Sequence, residues 1–520
     1  MRIFIDDFFE KVRIVNAEIK SLYLEDQSPL LVGWSGGKDS SCVLQLIWKA
    51  ISELPIEQRT KPIYVISTDT RVENPIVANW VRQSHQKMRE AAAQQQMPIE
   101  PHLLYPDLKD TFWANLIGKG YPAPRQKFRW CTERLKIHPA NHFIRDKVRE
   151  NGETILVLGT RKAESAKRAA TMKKHQQGRV RDRLSPNASL PNSLIYSPIE
   201  DWDNNEVWLY LNSHENPWGH SNDLLFELYR GATADNECPL VIDTNTPSCG
   251  DSRFGCWVCT LVDQDKSMQA MIINDQEKTW MEPLLDFRNL LDFRSDYKRE
   301  QERQNRDFRR ITGNVQLFER NNKDKGGIEV TNIPGPYLKH WREELLRQLL
   351  LAQQQARANA PDHAKDLELI SPYELSEIRR IWLEEKHEFD DALPRIYQDI
   401  IGEPFHDPRP GADQSLLGID EWELLSELCT HDPMQLELIA KLLDTERQYH
   451  LKLNRKGLFD ALEQCFASSS RDQKTAIAHA HLKRDLKEKA QAGDINGIKD
   501  LIDPPQSQTW GSLKFPNNPQ

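Results

Sequence analysis

An α/β fold is predicted for this chain: a parallel sheet within residues 1–225, a cysteine-rich insert, then a helical C-terminal region. Three observations carry the prediction. The apolar run Leu30-Leu31-Val32-Gly33 passes through a glycine turn straight into a helically spaced segment, Lys38 to Ala50, with Val43, Leu44, Ile47 and Trp48 on one face. Further β-rich runs at 63–67, 99–104 and 154–158 alternate with helical periods, as parallel strands with crossover helices do. Beyond residue 270 the spacing is helical, with Pro and Gly breaks.

A chain of 520 residues exceeds what one core supports. It divides into 1–225, 226–285, 286–502 and a loose tail, 503–520, that carries four prolines and little apolar content. Neither a transmembrane span nor a signal peptide is expected, since Asp6, Asp7 and Glu10 interrupt the apolar residues of 1–23. A cytoplasmic location follows, and there eight cysteines point to metal or redox chemistry more than to disulfides. The net charge of −9 excludes an all-over nucleic-acid coat but leaves room for a local basic face.

In chain order, 3–24 has helical spacing and reads as a packing helix ahead of the first strand. Then comes Ser35-Gly36-Gly37-Lys38-Asp39-Ser40. Its glycines let backbone N–H groups crowd around an anion, and the helix start adds free N–H groups and a positive dipole end. This is a phosphate cradle. It is not a Walker loop, because Asp39 stands where Ser or Thr would follow the lysine. The string resembles the PP-loop of ATP pyrophosphatases, which split ATP between its α- and β-phosphates, adenylylate an acceptor and release pyrophosphate.

The second strand ends in Thr68-Asp69-Thr70, and Glu73-Asn74-Pro75 opens a helix. This order resembles phosphoadenosine phosphosulfate (PAPS) reductases, a branch of the same superfamily, and it puts Asp69 and Thr70 beside the nucleotide. Residues 105–130 read as a loop. In Arg129-Trp130-Cys131-Thr132-Glu133-Arg134-Leu135-Lys136, positive neighbours favour a thiolate, making Cys131 a candidate reactive thiol; an inert buried cysteine is the alternative. The pattern from Gly159 through Arg161, Glu164 and Ser165 to Arg168 is a third family-like element, with guanidinium forks suited to phosphate oxygens. From 161 to 183, nine Lys or Arg accompany two acids. That region is either a polyanion contact or a solvated loop. A last strand near 195–199 and a helix near 206–211 complete the resemblance.

Cys238, Cys249, Cys256 and Cys259 gather four thiols, one pair with C-x-x-C spacing. Thiolates suit iron–sulfur and zinc alike, and an iron–sulfur cluster is favoured here over structural zinc. Cys42, Cys429 and Cys465 sit in apolar helical contexts and read as core, and 284–310 reads as a solvated helix.

A PP-loop domain, a four-cysteine insert and a helical C-terminal half together resemble the DndC family, the sulfur-modification proteins of bacterial DNA phosphorothioation. The resemblance implies ATP with Mg2+ and a 4Fe-4S cluster, with zinc as the alternative. It implies ATP contacts from Ser35, Gly36, Gly37, Lys38, Asp39, Ser40, Asp69, Thr70, Gly159, Arg161 and Arg168, and chemistry at Lys38, Asp39, Cys131 and Arg161. The implied partners are DNA, a cysteine desulfurase and other phosphorothioation proteins, with Arg125, Lys127, Arg129, Lys173, Lys174 and Arg179 guiding the polyanion. Three rivals stay open: a tRNA thiolase, a phosphosulfate reductase-like enzyme, and a nucleotide-binding scaffold stapled by zinc.

Overall fold

The computed structural model describes residues 2–164, 169, 170, 172, 173, 183–232, 254–293, 295–322, 327–410, 419–429, 433–450, 454–469, 472–494 and 501. Its centre is a sheet of six strands, β1 (Leu30–Gly33), β2 (Ile63–Thr68), β3 (Ile99–Leu104), β4 (Thr154–Val157), β5 (Ser185–Pro186) and β6 (Ser193–Tyr196), in the order β3-β2-β1-β4-β6-β5. All pairs are parallel except β5 with β6. Leu30 pairs with Ile63 on one side and Ile155 on the other, so β1 is central.

Alternation along β1 divides two cores, as expected of a strand covered on both faces. Leu30 and Val32 join the larger core, while Leu31 joins Ile66, Ile144 and Leu190 on the opposite face. The larger core receives Phe8, Val12, Val15 and Ile19 from α1 (Arg2–Glu25), one stripe at helical spacing. It also receives most of α2 (Lys38–Ser52). The helix α3 (Pro75–Gln94) starts where expected, with the Asn74 side chain accepting from the Ile76 N–H at 3.0 Å.

Behind β2, His85 of α3 is 2% exposed and bonded to Ser67 Oγ at 2.8 Å. Burial lowers its pKa to about 4. A folded-state value below the unfolded one gives stability that is complete above about pH 6.5 and lost as pH falls toward 4, on the order of 3 kcal/mol. Urea midpoints at pH 7 and pH 5 should therefore differ more for the wild type than for His85→Gln. Equal differences would remove His85 from the acid response.

The stretch after β3 departs from the expected loop. Residues 108–118 form two short helical turns, and Phe112, Trp113, Leu116 and Ile117 are buried. The missed apolar residues pack not on the sheet but on later elements: the Trp113 indole donates to Leu369 O at 2.7 Å, and the Trp382 indole donates to Ile117 O at 3.0 Å. They belong to a third core that also takes residues from 254–291 and from α10 (Lys339–Asn359), α11 (Pro372–Arg380) and α12 (Ala392–Ile401). The preceding helices are α4 (His138–Asn151), α5 (Asn204–Ser213), α6 (Asn222–Gly231), α7 (Lys266–Asn274), α8 (Glu282–Leu290) and α9 (Asp296–Gln304). An antiparallel hairpin, β7 (Leu317–Asn322) and β8 (Gly327–Asn332), also interrupts the helical region. The expected solvated helix is two helices, α8 and α9, and each carries a buried charge, Arg288 at 1% and Glu302 at 2% exposure. Helices from 419 to 492 follow the expected periods, with one further helix at Gln473–Ala492. Cys42 and Cys429 are buried as expected, whereas Cys465 is partly exposed and 3.3 Å from Thr445 Oγ1. No helix among the described residues is long and apolar enough to cross a membrane.

Candidate nucleotide site and adjoining thiols

Strand order reverses at β1, with β2 on one side and β4 on the other, so a crevice opens beyond their C-terminal ends. The glycine loop leaves β1 at this point, and Gly159 to Arg161 leaves β4 beside it. The loop is packed to tight tolerance. Gly36 has φ +78°, and a Cβ there would stand 2.8 Å from Val81 Cγ2. Gly159 lies so close to α2 that a Cβ would meet the backbone of Asp39 and Ser40 at 2.9 Å. Both positions need glycine.

The loop borders a cavity of about 730 Å³ whose lining includes Ser35, Gly37, Lys38, Asp39, Asp69 and Arg161. Gly36, Ser40, Thr70 and Gly159 are not in its lining and shape it from behind. Ser40 Oγ lies 3.0 Å from Gly37 O and 3.2 Å from both Ser35 N and Ser35 Oγ, bracing the turn. Thr70 is fully buried, its hydroxyl 3.0 Å from Glu73 Oε1 and 3.4 Å from Cys256 Sγ, so it turns toward the thiols and not toward a nucleotide. Asp69 does face the cavity, and burial raises its carboxyl above the usual range.

At the start of α2 the charges are already arranged. The Lys38 ammonium lies 3.2 Å from Asp39 Oδ2 and 5.4 Å from the centre of the Tyr229 ring, while the Lys38 N–H donates to Tyr229 Oη at 3.2 Å. Arg161 differs from its expected role. It is 4% exposed, with Nε on Asp39 Oδ1 at 2.6 Å and Nη1 on Trp202 O at 3.3 Å. A residue so held orients Asp39 and fixes the β4 loop against α2 while it still lines the cavity. Arg168, Lys174 and Arg179 lie outside the described residues, and Lys173 is exposed.

Cys131 also departs from expectation. Burial pushes its thiol above the ordinary value, so it is no ready thiolate. Its basic neighbours point elsewhere: Arg134 bonds Asp110 and Asn115, and Arg129 bonds the Gln126 carbonyl. Only Lys136 turns toward the thiols, with Nζ 3.2 Å from Glu73 Oε1 and its ammonium held above the ordinary value by Cys256 and then by Glu73. Cys131 and Cys256 both lie within electrostatic reach of Cys259. Burial raises Cys256 to about 12. The C-x-x-C turn closes with Cys259 N–H on Cys256 O at 3.0 Å and is pinned to the start of α3 by Trp257 N–H on Val72 O at 3.0 Å.

Cys238 and Cys249 lie outside the described residues, and no group of three or more His, Cys, Asp or Glu among the described ones is arranged to hold a metal. In donor chemistry the C-x-x-C thiols at 256 and 259 suit a soft metal centre, since a desolvated thiol becomes a stable thiolate on a metal, while Cys131 completes no such set with them among the described residues. The residue missed in the sequence is Arg288, which donates to the carbonyls of Cys259, Val262 and Asp263 at 3.1, 2.5 and 3.2 Å and so holds the C-x-x-C exit. Its sequence signal is slight, one arginine in a charge-rich helix.

Residues 29–261, a little under half of the chain, match the family described as the phosphoadenosine phosphosulfate reductase domain. An uncharacterized protein of Methanocaldococcus jannaschii is 27% identical over 203 residues, 38% of this chain and 35% of that protein, so the match spans about a third of the relative's length. Among solved structures the chain is similar to PAPS reductase from Candida auris in a phosphate complex, at 17% identity over 40% of this chain and 83% of that one, TM-score 0.25. It is also similar to the U34-tRNA thiolase NcsA from Methanococcus maripaludis with its 4Fe-4S cluster, at 16% identity over 41% and 64%, TM-score 0.25. A third is FMN adenylyltransferase from Candida glabrata with FAD and inorganic pyrophosphate, at 15% identity over 48% and 76%, TM-score 0.26. The matched residues take in the α/β part of this chain, with its glycine loop at the sheet's switch point, and that part is similar to a phosphoadenosine phosphosulfate reductase domain.

Proposed function

We propose that the chain incorporates sulfur into the DNA backbone at the expense of ATP, as a member of the DndC-type phosphorothioation proteins. The observation that supports this most is adjacency. Glu73 and Lys136 line the nucleotide cavity; Cys256 Sγ donates to Glu73 Oε1 at 3.8 Å, and Lys136, paired with Glu73, lies within electrostatic reach of Cys256. An ATP-activated acceptor and a sulfur-handling centre thus share one wall.

The chemistry follows from the bonds involved. A phosphate oxygen of the acceptor attacks the α-phosphorus of ATP, the α–β bridge breaks, and pyrophosphate leaves from the glycine loop. Lys38 and the loop N–H groups neutralise that leaving charge, and Asp39, oriented by Arg161, and Asp69 are hard oxygen donors suited to Mg2+. Sulfur at the sulfide level, supplied by a cysteine desulfurase and a thiol reductant, then displaces AMP from the acceptor phosphorus. Cys256 and Cys259, with Cys238 and Cys249, would each ligate one iron of a 4Fe-4S cluster, which would supply redox chemistry and hold this segment beside the nucleotide cavity. Cys131 is the neighbouring thiol, a sulfur carrier beside that set. DNA is guided by the basic residues Arg125, Lys127 and Arg129, together with partner proteins of the modification complex.

Nuclease digestion of host DNA followed by mass spectrometry tests the reading. Sulfur-linked dinucleotides are expected with the wild-type chain and absent with Lys38→Ala. If tRNA thionucleosides vanished instead, the thiolase alternative would replace it. Iron and sulfide analysis after anaerobic purification should show about four of each per chain for a 4Fe-4S cluster, lost in Cys256→Ser and retained in Cys131→Ser. Loss in Cys131→Ser with retention in Cys238→Ser would exchange those two roles.

A further inference from the structure

A second cavity, of about 570 Å³, adjoins the first and shares Asp69, Glu73 and Ala78 with it. One wall is the turn at Arg71, the first turns of α3 and Tyr105; the other is formed by residues 363–374, beyond the family match. The volume suits one small-molecule-sized unit.

Arg71 is held in a left-handed conformation, φ +62°, with its N–H on Asp69 Oδ1 at 2.8 Å. Its guanidinium lies 5.1 Å from the centre of the Tyr105 ring. Among the described residues it makes no side-chain hydrogen bond or ion pair, and its Nε is buried without an acceptor. Leaving such a donor desolvated is costly, so a fold that holds it there presents it to an anion. Arg82 stands on the same side, exposed and 3.9 Å from Asp69. The Tyr105 ring is 46% exposed. Across the cavity Glu374, 2% exposed, accepts at Oε2 from Ser371, and its carboxylate lies within reach of Thr111 and within electrostatic reach of Arg71.

Guanidinium forks for a phosphate and an open aromatic face for a base together match a nucleotide. We propose that this cavity receives one unstacked nucleotide of a DNA strand, its phosphate on Arg71 and Arg82 and its base against Tyr105. The proposal rests on the reading of DNA as acceptor and adds where the strand enters: across Asp69 from the glycine loop, against a wall built by the C-terminal region. A base inside a duplex cannot reach such a cavity, so the strand must be single or locally opened.

The test is fluorescence anisotropy of the full chain with a labelled single-stranded deoxyoligonucleotide over a series of salt concentrations, alongside calorimetry with ATP. Arg71→Asn keeps a residue that tolerates the left-handed backbone, and Tyr105→Leu removes the aromatic face. Each should weaken oligonucleotide binding about tenfold. Arg71→Asn should also flatten the salt dependence by about 0.7 in logarithmic slope, and ATP affinity should stay within about twofold. Wild-type oligonucleotide affinity in both variants overturns the proposal and leaves the acceptor reading intact. Parallel loss of ATP binding also overturns it, by making the cavity part of the ATP site. A wild-type chain that binds neither DNA nor RNA strands defeats the acceptor reading itself, and an effect of Arg71→Asn on RNA alone defeats the choice of DNA.

Discussion

Lys38→Ala is expected to slow pyrophosphate release by about 10²–10³-fold, the usual cost of losing one preorganised donor to a developing charge. Lys38 is 7% exposed, fixed by Asp39 on one side and by the face of Tyr229 on the other, so its ammonium needs little reorganisation to meet a leaving phosphate. The loop N–H groups survive the substitution, so ATP affinity should fall less than turnover. Single-turnover release measured with a coupled pyrophosphate assay separates the two effects. Equal rates in wild type and variant would exclude Lys38 from the chemical step.

Arg288→Met should cost about 3–5 kcal/mol of stability, the range for breaking a buried charged pair. Its guanidinium is 1% exposed and serves three carbonyls besides Asp292 Oδ2 at 3.3 Å and Asn289 Oδ1 at 3.1 Å. Removing it takes one donor from each of those carbonyls and the Arg288 guanidinium from Asp292. A domain's whole stability is about 5–15 kcal/mol, so the urea midpoint should fall markedly. Iron content should fall with it, because the freed carbonyls are those at the exit of the C-x-x-C turn. An unchanged midpoint would show that water replaces the guanidinium at no cost.

The glycine loop was legible because its chemistry is local. Strand, glycine turn and helix start occupy 30–50 in one run, and a phosphate cradle needs those residues in that order. Arg161 was legible as part of the site but not in its pairing: only the fold brings residue 161 onto residue 39, where its guanidinium orients the Asp39 carboxylate at the cavity wall. Cys131 shows the same limit. Charge read along the chain suggested a thiolate, yet Arg129 and Arg134 point away from it and burial decides the direction. The 105–130 stretch carried enough Pro and Gly to read as a loop, and its apolar residues had no periodic partner nearby because their partners lie more than 200 residues later. Arg71 and Glu374 were invisible for a related reason, since a cavity between distant segments leaves no spacing to recognise.

The third core has a consequence for anyone trimming this protein. Cutting after residue 261 would keep every residue of the family match and discard the helices that cover Trp113, Leu116, Ile117 and Trp257. Four large apolar side chains would then face water, at a cost of roughly 1.5–3 kcal/mol for each one fully bared. The reductase-like part is therefore not a portable cassette: its floor belongs to the C-terminal half, and an excised piece should aggregate where the intact chain stays folded.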